Sequence, residues 1–128
     1  MSAISDEVMR ERLSKAKAYS MVLLRKGPRW GASDARQIVW EHGRRNFELR
    51  EAKKLAIVCP FGGDTDLRGA GIFDADSQET EGIMAGDPAV QAGVLVFEVL
   101  SLPGLSGRRP ALGLAPQAAS RSKRKAAP

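Results

Sequence analysis

The stretch Ser33–Phe61, SDARQIVWEHGRRNFELREAKKLAIVCPF, decides the fold and contains the only histidine of the chain, His42. Ser33 and Asp34 each offer a side-chain oxygen that can cap a helix beginning just after them. Residues at spacings of three and four then form one stripe, which predicts a helix with that face against a sheet. The stripe consists of Ala35, Ile38, Val39, His42, Asn46 and Leu49. The run Leu55–Cys59 follows at once and is typical of a buried strand.

Four further segments complete the pattern on either side of this stretch. Tyr19–Arg25 is a short apolar run ended by Gly27-Pro28, which predicts a first strand. A turn at Pro60–Asp66 leads into a strand at Leu67–Asp74, and Ser77 offers an N-cap for a second helix through Ala85. Asp87-Pro88 ends that helix, and Gly93–Leu100 alternates as a last strand. The order predicts an α+β, ferredoxin-like βαββαβ domain with a four-stranded antiparallel sheet and both helices on one face.

Composition predicts one folded domain with an extension at each end. We expect an N-terminal extension at residues 1–17 with weak helical spacing, the ferredoxin-like domain at residues 18–102, and a tail at residues 103–128. Of the 20 basic residues, six lie after Glu98, where there is no acid, so the remaining 14 nearly balance the 15 acids. The tail is rich in Pro, Gly, Ala and Ser, which predicts disorder. Its basic cluster Arg121–Lys125 is either a solvated extension or a weak nonspecific contact for phosphate. Apart from such weak contacts of the tail, we do not expect nucleic acid as a partner.

The composition also excludes several classes of protein. A single cysteine, Cys59, rules out an internal disulfide, and one Cys with one His cannot make the usual four-ligand zinc site, so no metal site is predicted. No apolar run approaches the roughly 20 residues that cross a bilayer, and the charged N-terminus lacks the apolar core of a secretory signal. We therefore expect a cytoplasmic protein without a membrane partner.

Several pieces of the chain, in the same order, resemble the YCII-related (YciI-like) family across about residues 19–100. These pieces are Tyr19–Arg25, Lys26-Gly27-Pro28 with Trp30, Glu41-His42, Lys54–Val58 with Pro60-Phe61, Asp66–Gly69, Ile72-Phe73, Asp74–Ser77 and Asp87–Gly93. The resemblance implies a dimeric α+β barrel, in which two ferredoxin-like sheets pack face to face, and it matches the family's helix histidine to His42 and its Asp-Pro aspartate to Asp87. This chain departs from the family at Cys59, where glycine is usual, and at Asn46, where an apolar residue is usual.

The activity that the resemblance implies is removal of a proton from a small ring substrate without a cofactor. A chlorinated hydroxyhydroquinone dehydrochlorinase belongs to the family, and muconolactone isomerases and chloromuconolactone dehalogenases are similar to it in fold. In this topology we expect Asp87 to approach His42, fix its tautomer and leave its other nitrogen as a general base. The alternative is a histidine bonded to a backbone carbonyl or to Asp87 for structural reasons alone.

Three more residues are candidates for binding a substrate. Asp66 and Arg68 flank the predicted hairpin and could hold an anionic ligand, although a solvated turn pair explains them as well. Cys59 lies beside the expected pocket and is more often a small buried residue than a nucleophile. Two hypotheses follow: a dimeric lyase or isomerase based on His42 and Asp87, or a noncatalytic dimeric module that binds a small ligand.

Overall fold

The computed structural model describes residues 3–105, which form four strands and four helices. The elements in chain order are α1 (Asp6–Leu13), β1 (Lys17–Lys26), α2 (Ala35–Glu51), β2 (Leu55–Pro60), β3 (Leu67–Phe73), α3 (Ser77–Ala85), α4 (Pro88–Gln91) and β4 (Leu95–Gly104).

The strands form one sheet in the order β2-β3-β1-β4, and every neighbouring pair is antiparallel. The predicted α+β class with a four-stranded antiparallel sheet is therefore confirmed, and the order is compatible with a ferredoxin-like arrangement. β2 and β4 are the edge strands, and they contain the strand prolines Pro60 and Pro103. Proline is tolerated there because an edge strand need not donate every backbone N–H to a neighbour.

One face of the sheet carries the main core. Val22 of β1 lies opposite Gly71 on one side and Val99 on the other, and it packs with Leu55 and Phe73. Met84 of α3 and Leu49 of α2 join the same cluster, so both helices contribute to the core on this face. The stripe predicted for α2 is the buried face of that helix, with Ala35 and His42 its most buried members.

A close backbone approach fixes the loop between β1 and α2. Gly27 donates its N–H to Val94 O at 2.8 Å, and a Cβ at position 27 would lie only 2.4 Å from Gly93 O. Only glycine fits that contact. The approach holds Trp30 and the start of α2 against the beginning of β4.

The opposite face of the sheet is largely apolar. It carries Tyr19, Met21, Leu23, Ile57, Ala70, Ile72, Val96, Leu100 and Leu102 by strand alternation. Ile57, Val96 and Leu100 are 53, 42 and 40 % exposed. This face also holds the ion pair between Arg25 Nη1 and Glu98 Oε1 at 2.9 Å.

Several boundaries differ from those predicted. β4 runs Leu95–Gly104 instead of Gly93–Leu100, and β1 begins at Lys17, so the sheet extends past both limits of the predicted 18–102 domain. The part of the predicted tail after residue 105 lies outside the described residues. The cap of α3 is Asp76, not Ser77, because the Asp76 carboxylate accepts from Glu79 N at 2.8 Å.

Two helices lie outside the predicted βαββαβ order. α1 occupies the predicted N-terminal extension, is capped by Ser5, and buries none of its residues. The Asp87-Pro88 pair ends α3 as predicted, but Pro88 also starts α4. Four residues are too few to show a helical period, so the sequence pattern could not reveal α4.

Candidate functional site

His42 and Asp87 are in direct contact in the interior of the protein. His42 Nδ1 lies 2.7 Å from Asp87 Oδ2, and the two residues are 9 and 1 % exposed. Asp87 is the N-cap of α4, where its Oδ1 accepts the N–H groups of Ala89 at 2.8 Å and Val90 at 3.3 Å. Because these two bonds hold Oδ1 at the helix end, Oδ2 points toward His42 on α2.

The surroundings of Asp87 keep its carboxyl group ionised. Burial by itself would raise the pKa of Asp87, but the hydrogen bond and charge of His42 lower it, as do the N–H groups of Ala89 and Val90. The net result is an Asp87 pKa below its usual value. An ionised carboxylate accepts hydrogen bonds only, so Nδ1 of His42 must be the protonated nitrogen of that contact. In the neutral imidazole, the lone pair then belongs to Nε2.

Asn46 lies one turn further along α2 and contacts the other nitrogen of the ring. Its Nδ2 is 3.3 Å from His42 Nε2 and can donate to it. This contact agrees with the tautomer that Asp87 imposes, because an N–H donor needs an unprotonated nitrogen. Asn46 is the position where the resemblance to the YCII-related family predicts an apolar residue, and here its amide contacts the histidine ring.

His42 and Asn46 line a cavity of about 660 Å³ between α2 and the β2–β3 side of the sheet. Gly69 and Gly71 of β3 form part of its wall and contribute no side chains. The rest of the lining is mostly apolar and includes Val39 and Phe47 of α2 and Leu24 of β1. A volume of this size is within the range that holds a small organic ligand.

The three predicted substrate-binding residues have different positions. Arg68 lines the cavity, where its guanidinium lies 5.6 Å from the centre of the Trp30 ring. Cys59 also borders the cavity, but it pairs with Ala70, so its exposed thiol is on the face of the sheet opposite to α2. Asp66 does not line the cavity; its exposed carboxylate lies 4.0 Å from Arg25 Nε.

Two arginines of α2 belong to this region and were not predicted. Arg45 Nη1 is buried without a hydrogen-bond partner and lies 4.0 Å from Asp87 Oδ2. Arg50 lines the cavity and donates to Ala56 O at 3.1 Å. Arg50 lies eight residues after His42, and Asn46 lies halfway, so the helical period offered a signal for Arg50. Nothing in the sequence marks Arg45, because its neighbour Asp87 is distant in the chain.

The chain matches no protein-family model, and no curated protein is significantly similar to it. Its resemblance to the YCII-related family therefore stays a prediction. Within residues 3–105, no group of three or more His, Cys, Asp or Glu side chains is placed to hold a metal ion. None of the helices in that range is long and apolar enough to cross a membrane.

Proposed function

We propose that this protein is a small YciI-like enzyme of the lyase or isomerase type that removes a proton from a small ring substrate. His42 Nε2 is the general base, and Asp87 orients the ring. The observation that carries the proposal is the buried 2.7 Å contact between His42 Nδ1 and the Asp87 carboxylate, with Nε2 beside a largely apolar cavity. Orientation of an imidazole by a carboxylate is the usual way to present one ring nitrogen as a base.

The proposed reaction needs no cofactor. Nε2 takes a proton from a carbon next to a ring carbonyl, and the electron pair of the C–H bond moves toward the carbonyl oxygen as an enolate. In an isomerase the imidazolium returns the proton to another carbon; in a lyase the enolate expels chloride from the neighbouring carbon. Positioned proton transfer of this kind contributes about 10²–10⁴-fold in rate, enough for an already acidic C–H.

A homodimer is part of the proposal. The apolar face of the sheet, which includes Leu23, Ile72, Val96 and Leu100, is available for a second copy of the chain. Packing sheet against sheet would complete a dimeric α+β barrel and remove that face from water. The cavity lies on the other side of the sheet, between the sheet and α2, so each copy would keep its own His42 site.

A noncatalytic ligand-binding module is the second candidate, and one contact favours it. Asn46 Nδ2 lies 3.3 Å from His42 Nε2 and donates to the lone pair that a base would use. In an enzyme the substrate displaces this amide, whereas in a binding module the amide stays in place and the histidine is structural.

Hydrogen exchange of ring compounds in heavy water separates the two candidates. Small cyclic ketones, lactones and chlorinated phenols are incubated with the full-length protein, and loss of the C–H signal is followed by proton NMR. The enzyme is expected to exchange one position, His42→Ala to abolish exchange while remaining folded, and exposed Gln37→Ala to behave like the parent. Binding without exchange, or exchange that survives in His42→Ala, would refute the catalytic role of His42.

A further inference from the structure

Some arginines of the protein lie beside a carboxylate and others do not. Arg25, Arg29, Arg44 and Arg45 each lie within 4.0 Å of a carboxylate oxygen. Arg50 and Arg68 are the two that line the cavity, and among the described residues their side-chain hydrogen bonds go only to backbone carbonyl oxygens. No aspartate or glutamate is among the residues that line this cavity. Among residues 3–105, no carboxylate therefore lies beside the positive charge of this cavity.

Arg50 has more donor groups left than Arg68. The Arg68 Nε donates to Leu67 O, and its Nη2 donates to two carbonyl oxygens of the β2–β3 turn, so most of its fork is used to order that turn. Arg50 makes one bond, from Nη1 to Ala56 O at 3.1 Å. A guanidinium has five N–H groups, so Arg50 can still present two parallel donors to a carboxylate.

Arg50 and His42 lie on the same face of α2 and line the same cavity. His42, Asn46 and Arg50 recur every four residues on one face of α2, and all three line the cavity. Eight residues of α-helix rise about 12 Å. A ligand with its anionic group at Arg50 would extend along the wall of the cavity toward the His42 ring, past the apolar surface of Gly69 and Gly71.

We propose that the cavity binds an organic anion, an apolar ring compound with a carboxylate, and that Arg50 is the residue that holds the carboxylate. The carboxylate of the ligand supplies the negative charge that the lining lacks. Its apolar ring packs against the apolar residues of the lining. A guanidinium in a partly desolvated cleft attracts an anion more strongly than one in water, because the local dielectric constant is lower. The proposal rests on the proposed function for the reaction of such a ligand, but not for its binding.

The test compares two probes of the same shape, 1-naphthoate and the neutral 1-naphthamide, by titration of the full-length protein at about pH 8. Binding is measured by isothermal titration calorimetry, because the naphthyl ring of both probes absorbs and emits in the range of tryptophan fluorescence. The parent is expected to bind naphthoate at least about tenfold more tightly than naphthamide, the amount that one hydrogen-bonded charge contributes. Arg50→Met should lose this preference, and Arg50→Lys should keep part of it.

Arg12→Met is the control, because Arg12 is an exposed arginine of α1 that does not line this cavity. Equal affinity for the two probes, or a preference for naphthoate that persists in a folded Arg50→Met protein, would overturn the proposal. His42→Ala should keep the preference, so this result is independent of catalysis. If the parent protein binds naphthoate through Arg50 but exchanges no hydrogen in any ring compound, the proposed reaction alone is refuted. If it exchanges hydrogen but its naphthoate binding does not depend on Arg50, the anion site alone is refuted.

Discussion

Replacing Asp87 by asparagine and by alanine separates the charge of its carboxylate from its role as a helix cap. The asparagine oxygen can still accept from Ala89 N and Val90 N, but its amide N–H₂ faces Nδ1–H of His42. Asp87→Asn therefore loses one charge-assisted hydrogen bond, which costs about 2 kcal/mol of the free energy of unfolding. Asp87→Ala loses the cap as well and leaves a buried N–H without an acceptor, for a total of about 4 kcal/mol.

Urea denaturation of the full-length protein, followed by tryptophan fluorescence, measures both values. With an m-value of about 2 kcal/mol/M, the midpoint should fall by about 1 M in Asp87→Asn and by about 2 M in Asp87→Ala. Asp64→Asn, which removes an exposed carboxylate, is the control and should leave the midpoint unchanged.

The same experiment has a pH dependence of known sign. Because the pKa of Asp87 is lower in the folded protein than its ordinary value, its stabilisation is present above about pH 4. That stabilisation is lost as the pH falls through the lower pKa of the folded state. The difference between the parent and Asp87→Asn should therefore shrink in acid. Equal destabilisation by asparagine and alanine at neutral pH, or a difference that stays constant into acid, would refute the charge-assisted pair.

Two substitutions at glycine test the packing around the site. Gly27→Ala should lower the free energy of unfolding by about 1–3 kcal/mol, because the added Cβ would lie 2.4 Å from Gly93 O. Gly31→Ala is its control and should change the free energy of unfolding little, because a Cβ at that position meets open space. Gly43→Ala should raise the free energy of unfolding by about 1 kcal/mol, because Gly43 is inside α2 and its Cβ would also meet open space. Urea midpoints measure both, and a stable Gly27→Ala or a destabilised Gly43→Ala would contradict the packing described.

The fold was predictable because several segments had a strong period. The stripe of α2 has six members at helical spacing, and it correctly places His42 on the buried face. The strands β1 and β3 are short apolar runs bounded by turn residues, and their order along the chain limits the possible sheets. The end of β4 was not predictable from the same signals, since Pro103 and Gly104 disfavour strands and are held in place by pairing with β1.

The candidate site was predictable only in part. His42 and Asp87 could be proposed as neighbours from the topology and the family resemblance, but the contact depends on α4, whose cap turns the carboxylate toward α2. The position of Arg50 depends on its bond to Ala56 O, a carbonyl of the edge strand β2 at the register irregularity between Leu55 and Ile57. Such contacts come from the relative placement of elements, which no local period encodes.

The proposed role of His42 requires Asp87 to hold the ring with Nδ1 protonated and Nε2 available to the cavity. Nitrogen-15 NMR of the imidazole at about pH 8 tests it directly, and a single histidine makes the assignment unambiguous. We expect the tautomer with the proton on Nδ1, and a change in the tautomer balance in Asp87→Asn. A ring with its proton on Nε2, or one that does not respond to Asp87→Asn, would show that Asp87 does not set the tautomer of His42.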